Sequence, residues 1–257
     1  MLLPEVAEQF QLRGISALIY DPRSIGLSDG IPRNNIDPIK QAEDYSDALT
    51  FLSTLPVVDP NRISFWGMSF SGTIALCAAA LDKRAKLVIA VCPLVTFYTE
   101  EKLPRVLAKA MKDRQSQVRG NAPFSLPPFT STGENPMGMA TGGGLEAFEF
   151  MINVKEKGAA NFENRTTLQS YYKIVQWQPH GLMRFVQPTP VMMLVPELDM
   201  ISRSETQIAL FETLSGPKRL HIAPGKGHLN VLSGDDFPTL HNLQVDFIWS
   251  ALDGALS

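Results

Sequence analysis

The sequence has few cysteines, few histidines and no excess of positive charge. Its 257 residues include 2 cysteines and 4 histidines, and 23 lysines and arginines stand against 26 aspartates and glutamates, a formal net charge of −3. Two cysteines do not make the disulfide framework of a small secreted protein, so we predict Cys77 and Cys92 to be reduced core residues. Without a basic excess the chain is unsuited to the phosphate backbone, and we expect no nucleic-acid partner.

Long apolar runs are also lacking. The longest, residues 73–81 and 87–92, fall short of the roughly 20 residues that cross a bilayer, so we expect no membrane association. Residues 1–11 show neither a basic segment nor a cleavage site of small residues, and we therefore expect no signal peptide and a cytoplasmic location. With 44% hydrophobic and 19% charged residues, the composition predicts a globular chain with a sizeable core.

Short apolar segments alternate with helical patterns along most of the chain. The predicted strands are residues 15–20, 63–66, 87–92, 191–195 and 219–223. The first of them is almost continuously apolar, which is typical of a parallel strand buried on both faces. Residues 71–81 form a predicted helix between two strands, and such a βαβ unit makes neighbouring strands parallel. The pattern predicts an α/β fold with a mostly parallel sheet flanked by helices.

This alternation stops in the middle of the chain. We predict a discontinuous core of residues 1–93 and 189–257, interrupted by a mostly helical cap or lid at residues 94–188. The segment 121–144 is dense in Pro, Gly, Ser and Thr and too long for an ordinary connection, which indicates a functional lid or loop. The insertion follows the carboxyl end of a strand, where open α/β sheets bind ligands.

The segment GMSFSG, residues 67–72, lies between a predicted strand and a predicted helix. This is the setting of a nucleophile elbow, in which a serine adopts a strained backbone conformation that small neighbours permit. Gly67, Ser71 and Gly72 are small, although Ser71 replaces the last glycine of the G-x-S-x-G pattern. Ser69 is therefore a candidate nucleophile. The alternative is an ordinary strand-to-helix turn in which Ser69 caps the helix.

A serine nucleophile needs a general base close by. We select His228, because the flexible loop 224–227 places it just after a predicted strand. The other histidines lie in a turn (His180), in a strand (His221) and in the last helix (His241). The alternative interpretation of His228 is a solvated histidine of a surface loop.

The base needs an acid that orients it. Asp199 follows the predicted strand 191–195 by a short turn and precedes a helix, and we select it over Glu197 and Asp235. It could instead be an exposed turn residue or a helix cap. The chain order serine, aspartate, histidine is that of α/β-hydrolases and differs from the orders in chymotrypsin-like and subtilisin-like proteases.

Three segments carry a resemblance to a known superfamily. The loop DPRSIGLSDG (residues 21–30), the stretch RISFWGMSFSG (62–72) and GKGH (225–228) resemble the α/β-hydrolases. More narrowly, residues 62–72 together with TLQSYY (167–172), Trp177 and PTP (188–190) are similar to the fungal polyketide transferase and thiohydrolase branch. Bacterial peptidase-like and dienelactone-hydrolase-like relatives share parts of these segments.

The resemblance implies acyl transfer without a metal or an organic cofactor. Ser69 would attack the carbonyl of a thioester or ester, His228 would move the proton, Asp199 would hold the imidazole, and the Phe70 N–H would help to bind the oxyanion. The partner would be a small-molecule acyl substrate, a polyketide chain delivered by a polyketide synthase. Five aromatic residues of the insertion would contact its acyl chain: Tyr98, Phe129, Tyr171, Tyr172 and Trp177. Alternatively, these side chains form the core of the insertion itself.

The resemblance also implies elements that precede the first helix. The family's first strands, and the loop that supplies a second oxyanion donor, are missing ahead of Leu2, so we expect either a shortened sequence or a weakened relative. Two other functions stay open on this ground. One is a peptidase or amidase with the same triad, and the other is a binding protein that kept the fold without turnover. The sequence makes no prediction about the oligomeric state.

Overall fold

The computed structural model describes residues 3–135, 144–159 and 161–256. These residues form two compact units. The first, here the sheet unit, comprises residues 3–19, Ala42–Val95 and residues 178–256. The second, here the α4–α6 unit, comprises Tyr20–Gln41 and Thr96–Trp177. The domain boundaries near residues 93 and 189, and the role of residues 94–188 as a cap, stay predictions.

Helices and strands alternate along the described chain. The helices are α1 (Leu3–Gln11), α2 (Pro38–Ser53), α3 (Phe70–Leu81), α4 (Leu103–Val118), α5 (Gly144–Glu156), α6 (Leu168–Gln176), α7 (Ser204–Thr213) and α8 (Phe237–Leu252). The strands are β1 (Phe65–Met68), β2 (Val88–Val91), β3 (Ser125–Leu126), β4 (Thr166–Thr167), β5 (Val191–Pro196) and β6 (Lys218–Ala223). Two 3₁₀ segments, Pro60–Arg62 and Pro179–Phe185, complete the list.

A parallel sheet forms the centre of the sheet unit. Its order is β1-β2-β5-β6, and every neighbouring pair is parallel. In the register, Val88 lies opposite Phe65 on one side and Val191 on the other, and Val191 lies opposite Lys218. The predicted α/β fold with a mostly parallel sheet is confirmed. Since the strands run in one direction, the segments that follow β1, β5 and β6 all begin at the same edge of the sheet.

Helices cover both faces of this sheet. Successive side chains of a strand point to opposite faces, and every residue of β2 and β5 is buried, so both faces of these strands need a covering layer. On one face lies α3, whose residues 72–80 are all buried and which contacts β1 and β2. On the other face, Ile89 and Val91 of β2 belong to a core cluster with Phe10 of α1 and Phe247 of α8. Cys77 and Cys92 are free and buried, as predicted.

In the α4–α6 unit, helix α4 packs against helix α6. The buried carboxylate of Asp113 on α4 accepts hydrogen bonds from Gln117 and Gln169 side chains and from the Phe124 N–H. Ser170 Oγ accepts the Ile36 N–H at 2.8 Å, which ties the segment Tyr20–Gln41 to α6.

The predicted strand at residues 15–20 is wrong. These residues lie in no strand, and Leu18, Ile19 and Tyr20 are exposed over more than a third of their surface. An apolar run shows that a segment could be buried, but a strand also needs a hydrogen-bonded neighbour, and no described strand pairs with this one. Residues 136–143 of the predicted loop 121–144 lie outside the described residues. Within the part that the structure describes, no helix is long and apolar enough to span a bilayer.

Candidate active site

Ser69 occupies a sharp turn between β1 and α3. Its backbone has φ 57° and ψ −125°, a conformation that is strained for a residue with a side chain. The turn is tight enough that a Cβ on Gly67 would lie 2.6 Å from the carbonyl carbon of Ser71 and 2.9 Å from the Gly72 nitrogen. A glycine at position 67 is therefore a steric requirement of this elbow.

Backbone hydrogen bonds hold the elbow from both sides. The Ser69 N–H donates to the Val91 carbonyl at 2.9 Å, and the Ser69 carbonyl accepts the N–H groups of Gly72 and Leu94 at 3.0 Å each. The phenol of Tyr45 on α2 donates toward the carbonyl of Trp66, 2.9 Å away. These contacts stabilise the strained conformation of Ser69.

The structure brings together the three residues predicted as a triad. Ser69 Oγ lies 2.7 Å from His228 Nε2, and His228 Nδ1 lies 2.8 Å from Asp199 Oδ2. Since a carboxylate accepts hydrogen bonds, Nδ1 carries the proton of the neutral imidazole and Nε2 is free to accept the seryl O–H. Ser69 makes no capping hydrogen bond with its side chain, while Asp199 and His228 are 3% and 6% exposed. Ser69 therefore does not cap α3 with its side chain, and Asp199 and His228 are not solvated loop residues.

The loops that carry Asp199 and His228 are bonded to each other. The Leu198 N–H donates to the Lys226 carbonyl at 2.8 Å, and the Gly225 N–H donates to Glu197 Oε2 at 2.8 Å. Lys226 Nζ in turn donates to the Ser233 carbonyl at 3.0 Å. The aspartate loop follows β5 and the histidine loop follows β6, so the parallel pairing of these strands brings the two side chains together.

The residues that competed for these positions lie elsewhere. Glu197 is exposed and accepts the Gly225 N–H, and Asp235 is exposed. His180 is exposed on its 3₁₀ segment. His241 is buried against the rings of Phe10 and Phe237.

Comparison with known proteins places the chain in a family. The sequence model of the acetyl xylan esterase family (AXE1) matches residues 42–108. A thiohydrolase from Eupenicillium brefeldianum is 55% identical over 249 residues, which are 96% of this chain and 81% of the relative. Polyketide transferase claH from Penicillium crustosum is 45% identical over 258 residues, 98% of this chain and 84% of the relative.

This chain belongs to the fungal polyketide transferase and thiohydrolase family. A solved member, the α/β-hydrolase GrgF from Penicillium sp. sh18, is 40% identical and superposes with a TM-score of 0.87, covering 98% of this chain and 85% of that one. The resemblance stated from the sequence and the α/β-hydrolase fold are both confirmed.

In this member of the polyketide transferase and thiohydrolase family, one cluster of side chains at the candidate site has the residue types of a metal site. Cys92 Sγ, an Asp199 carboxylate oxygen and a ring nitrogen of His228 all lie within 4.8 Å of one another. Burial, and the nearby charge of Asp199, raise the pKa of the Cys92 thiol well above its ordinary value. A thiol that keeps its proton is a poor metal ligand. The donor set is therefore better suited to the hydrogen bond between Asp199 and His228 than to a resident metal ion.

The other predicted site residues are placed in two groups. Phe70, the predicted oxyanion donor, is the first residue of α3 and directly follows Ser69. The five aromatic residues predicted to contact the acyl chain all belong to the α4–α6 unit: Tyr98, Phe129, Tyr171, Tyr172 and Trp177. Within that unit the rings of Trp177 and Phe97 are 5.2 Å apart, and Trp177 and Tyr171 are buried. Substrate contact by these five residues stays a prediction.

Tyr171 differs from its aromatic neighbours in its hydroxyl. This group is buried and has no hydrogen-bond partner among the described residues, and burial raises the pKa of Tyr171 to about 12. The phenol therefore stays protonated at neutral pH, as a potential donor.

Two residues that donate hydrogen bonds to Asp199, one through its side chain and one through its backbone, were missed by sequence reasoning. Gln207 on α7 donates to Asp199 Oδ2 at 2.9 Å, and Ser202 donates its N–H to Asp199 Oδ1 at 2.8 Å. The available signal for Gln207 was its spacing, because it shares the buried stripe of α7 with Leu210 and Phe211. A polar residue in such a stripe requires an internal hydrogen-bond partner.

Proposed function

We propose that this protein is a serine-dependent hydrolase or acyltransferase that acts on a thioester or ester of a hydrophobic acyl chain. Its acyl group would be a polyketide, released or transferred in fungal secondary metabolism after delivery by a polyketide synthase in the cytoplasm. The observation that carries the proposal is the hydrogen-bonded series from Ser69 Oγ through His228 to Asp199, with distances of 2.7 and 2.8 Å. The names of the relatives supply the substrate class.

Acylation begins at Ser69. As its Oγ forms a bond to the carbonyl carbon, the seryl proton moves to His228 Nε2, and Asp199 stabilises the imidazolium through Nδ1. The carbonyl oxygen becomes an oxyanion, for which the Phe70 N–H at the start of α3 is a donor. When the oxyanion collapses, the bond to sulfur or alkoxy oxygen breaks, and the proton passes from Nε2 to the leaving group.

Deacylation repeats these steps with a second nucleophile. Water, or a hydroxyl of the acceptor, gives its proton to His228 Nε2 while its oxygen attacks the acyl carbon. The ester bond to Ser69 breaks, and its Oγ takes the proton back from Nε2. Water yields a free acid and an acceptor hydroxyl yields a new ester, so hydrolysis and transfer share one set of residues.

Labelling with a fluorophosphonate tests the nucleophile. We expect the probe to modify Ser69 of the folded wild type, located by mass spectrometry of the peptide that contains residues 67–72. Ser71→Ala is the matched control, because Ser71 is an exposed serine of the same elbow, and this variant should still be labelled. Ser69→Ala should be neither labelled nor active. Full activity of Ser69→Ala, or a folded wild type that resists the probe, would contradict the proposal.

Matched substrates then separate the enzyme classes. We expect faster cleavage of an N-acetylcysteamine thioester than of an anilide of the same acid. A preference for the anilide would indicate an amidase that uses the same triad. Labelling of Ser69 without cleavage of any activated ester would indicate a binding protein.

A further inference from the structure

Gln207 is a fully buried polar residue beside the triad. It lies on α7 with 0% of its surface exposed. Its Nε2 donates to Asp199 Oδ2 at 2.9 Å and also to the carbonyl oxygen of Ser202. Both partners are acceptors, so the amide must direct its NH₂ group toward them. The orientation of the Gln207 amide is therefore determined by its surroundings.

The carboxylate of Asp199 divides its hydrogen bonds between its two oxygens. Oδ1 accepts the N–H groups of Ile201 and Ser202 at 2.9 and 2.8 Å. Oδ2 accepts from His228 Nδ1 at 2.8 Å and from Gln207 Nε2 at 2.9 Å. Gln207 thus binds the same oxygen that the imidazole uses. The backbone donors hold one end of the carboxylate, and Gln207 holds the end that faces the histidine.

Ser202 anchors this arrangement to the sheet. Its Oγ donates to the Pro93 carbonyl at 2.7 Å and accepts the Val95 N–H at 3.3 Å. Pro93 and Val95 follow β2 closely, so the loop that carries Asp199 is tied to the segment after a neighbouring strand. Gln207 also donates to the Ser202 carbonyl. Its two partners, Asp199 and Ser202, thus belong to one hydrogen-bonded segment that is attached to the chain after β2.

The amide oxygen of Gln207, Oε1, lowers the stability of the folded protein. Oε1 is buried and has no hydrogen-bond partner within the described residues. An unpaired buried acceptor is destabilising, and an apolar side chain of similar length would avoid that loss. Stability alone does not account for a glutamine at this position. What the glutamine contributes is the hydrogen bond from its NH₂ group to Asp199 Oδ2.

We propose that Gln207 is a positioning residue of the triad, which holds Asp199 Oδ2 in the direction from which it accepts the Nδ1–H of His228. This inference rests on the proposed function, since it assigns Gln207 a role in the same proton transfer. Among the described residues, the titratable groups that cluster with this carboxylate are His228 and the Cys92 thiol. Gln207 adds an uncharged donor beside them.

Two substitutions test the role. Gln207→Met keeps the length of the side chain and removes the donor. We expect kcat for an acyl thioester to fall about 10- to 100-fold, the range typical of a misplaced catalytic group, with KM changed less than about threefold. Labelling of Ser69 by the fluorophosphonate should slow in parallel. Gln207→Glu keeps the shape but donates only when protonated, so its activity relative to wild type should rise as the pH falls.

Gln244→Met is the matched control. Gln244 is also a fully buried glutamine, and it accepts a hydrogen bond from the Trp66 indole. Its loss should lower stability and leave kcat unchanged. A Gln207→Met protein that is labelled and turns over like Gln244→Met would overturn the inference. If Gln207→Met does not fold, Gln207→Glu decides: a pH profile equal to that of the wild type overturns the inference as well.

The two proposals fail in different ways. If the proposed function is wrong, the wild type itself escapes labelling at Ser69. If the role of Gln207 is wrong, the wild type is labelled at Ser69, and both Gln207 variants are labelled as fast as the wild type.

Discussion

The carbonyl group of Ser71 occupies the space in which a side chain on Gly67 would lie. A Cβ at position 67 would be 2.6 Å from the Ser71 carbonyl carbon, closer than any van der Waals contact. The carbonyl belongs to the first turn of α3 and cannot move without shifting Ser69. The position of Ser69 therefore depends on the absence of a single methyl group at position 67.

We expect Gly67→Ala to destabilise the protein and to abolish turnover. Forcing a methyl group into a packed site costs about 1–3 kcal/mol, and the shift needed to relieve the clash moves Ser69 Oγ away from His228. Urea unfolding and fluorophosphonate labelling measure the two effects. Gly181→Ala is the control, because a Cβ built on Gly181 meets no described heavy atom within 4 Å beyond its chain neighbours and the backbone of its own helical turn. Equal unfolding curves for the two variants would show that the elbow relaxes without cost.

Asp199→Asn should still fold, with a loss of stability because the new amide NH₂ faces donors, and it should lower kcat by about 10⁴-fold, the loss seen when the aspartate of a serine triad becomes an amide. The amide NH₂ can donate to Nδ1, which selects the imidazole tautomer with its proton on Nε2, the nitrogen that should accept from Ser69. Steady-state kinetics on an acyl thioester checks this. Asp235→Asn and Glu197→Gln, at the two acidic residues that competed with Asp199, should retain kcat within a few-fold. A large loss in either of them would reassign the acid.

Local signals and a topological argument were enough to predict that Ser69, Asp199 and His228 lie together. Small residues at positions 67, 71 and 72 mark the elbow, and Asp199 and His228 each follow an apolar strand. Ser69 and His228 are 159 positions apart, yet β1, β5 and β6 belong to one parallel sheet. The residues that follow such strands meet at one edge. The order of the strands along the chain and their common direction therefore predict the contact between Ser69 and His228.

The features that sequence reasoning missed depend on partners that are distant in the chain. Residues 15–20 were predicted as a strand because they are apolar, but pairing is decided by a neighbour that the run itself does not encode. Gln207 has an ordinary helical position, and its partner Asp199 lies 8 residues earlier, outside the reach of neighbours on one helix. Tyr45 reaches the elbow from α2, 21 residues away from Trp66. Side-chain hydrogen bonds of this kind leave little trace in hydrophobic periodicity.

Stability should fall as the solution becomes more acidic, with His241 among the causes. Burial, and then the charge of Arg13, lower the pKa of His241 below its ordinary value of 6.5. The unfolded chain then binds this proton more readily than the folded protein does. The contribution is complete above about pH 6.5, the ordinary pKa of the unfolded chain, and it is lost as the pH falls from there through the lower pKa that His241 has in the folded protein. Urea unfolding at several pH values between about 5 and 7.5 measures the slope.

His241→Phe isolates this contribution. The substitution keeps an aromatic ring beside Phe10, whose centroid is 4.5 Å from that of His241, and it removes the titrating group. Its free energy of unfolding should depend less steeply on pH than that of the wild type. Burial also lowers the pKa of His221, but this residue is present in both proteins and its effect cancels. Parallel curves would show that His241 does not contribute.

Asp113→Asn should destabilise the α4–α6 unit. The buried carboxylate accepts three hydrogen bonds: from Gln117 Nε2 at 2.7 Å, from Gln169 Nε2 at 2.9 Å and from the Phe124 N–H at 2.9 Å. All three partners are donors, so an amide NH₂ in place of either oxygen would face another donor. Leaving buried donors unpaired costs about 1–3 kcal/mol. The free energy of unfolding should fall by that amount.

Hydrogen exchange locates the effect. The Phe124 N–H donates to Asp113 Oδ1, so its amide should exchange faster in Asp113→Asn than in the wild type. Gln115→Ala, at an exposed position of the same helix, should change stability by less than about 0.5 kcal/mol and leave the Phe124 amide protected. Equal protection of the Phe124 amide in both variants would contradict this prediction. It would show that the Asp113 carboxylate is not what joins α4 to the segment that follows it, because replacing the carboxylate would have left the bonding of the amide unchanged.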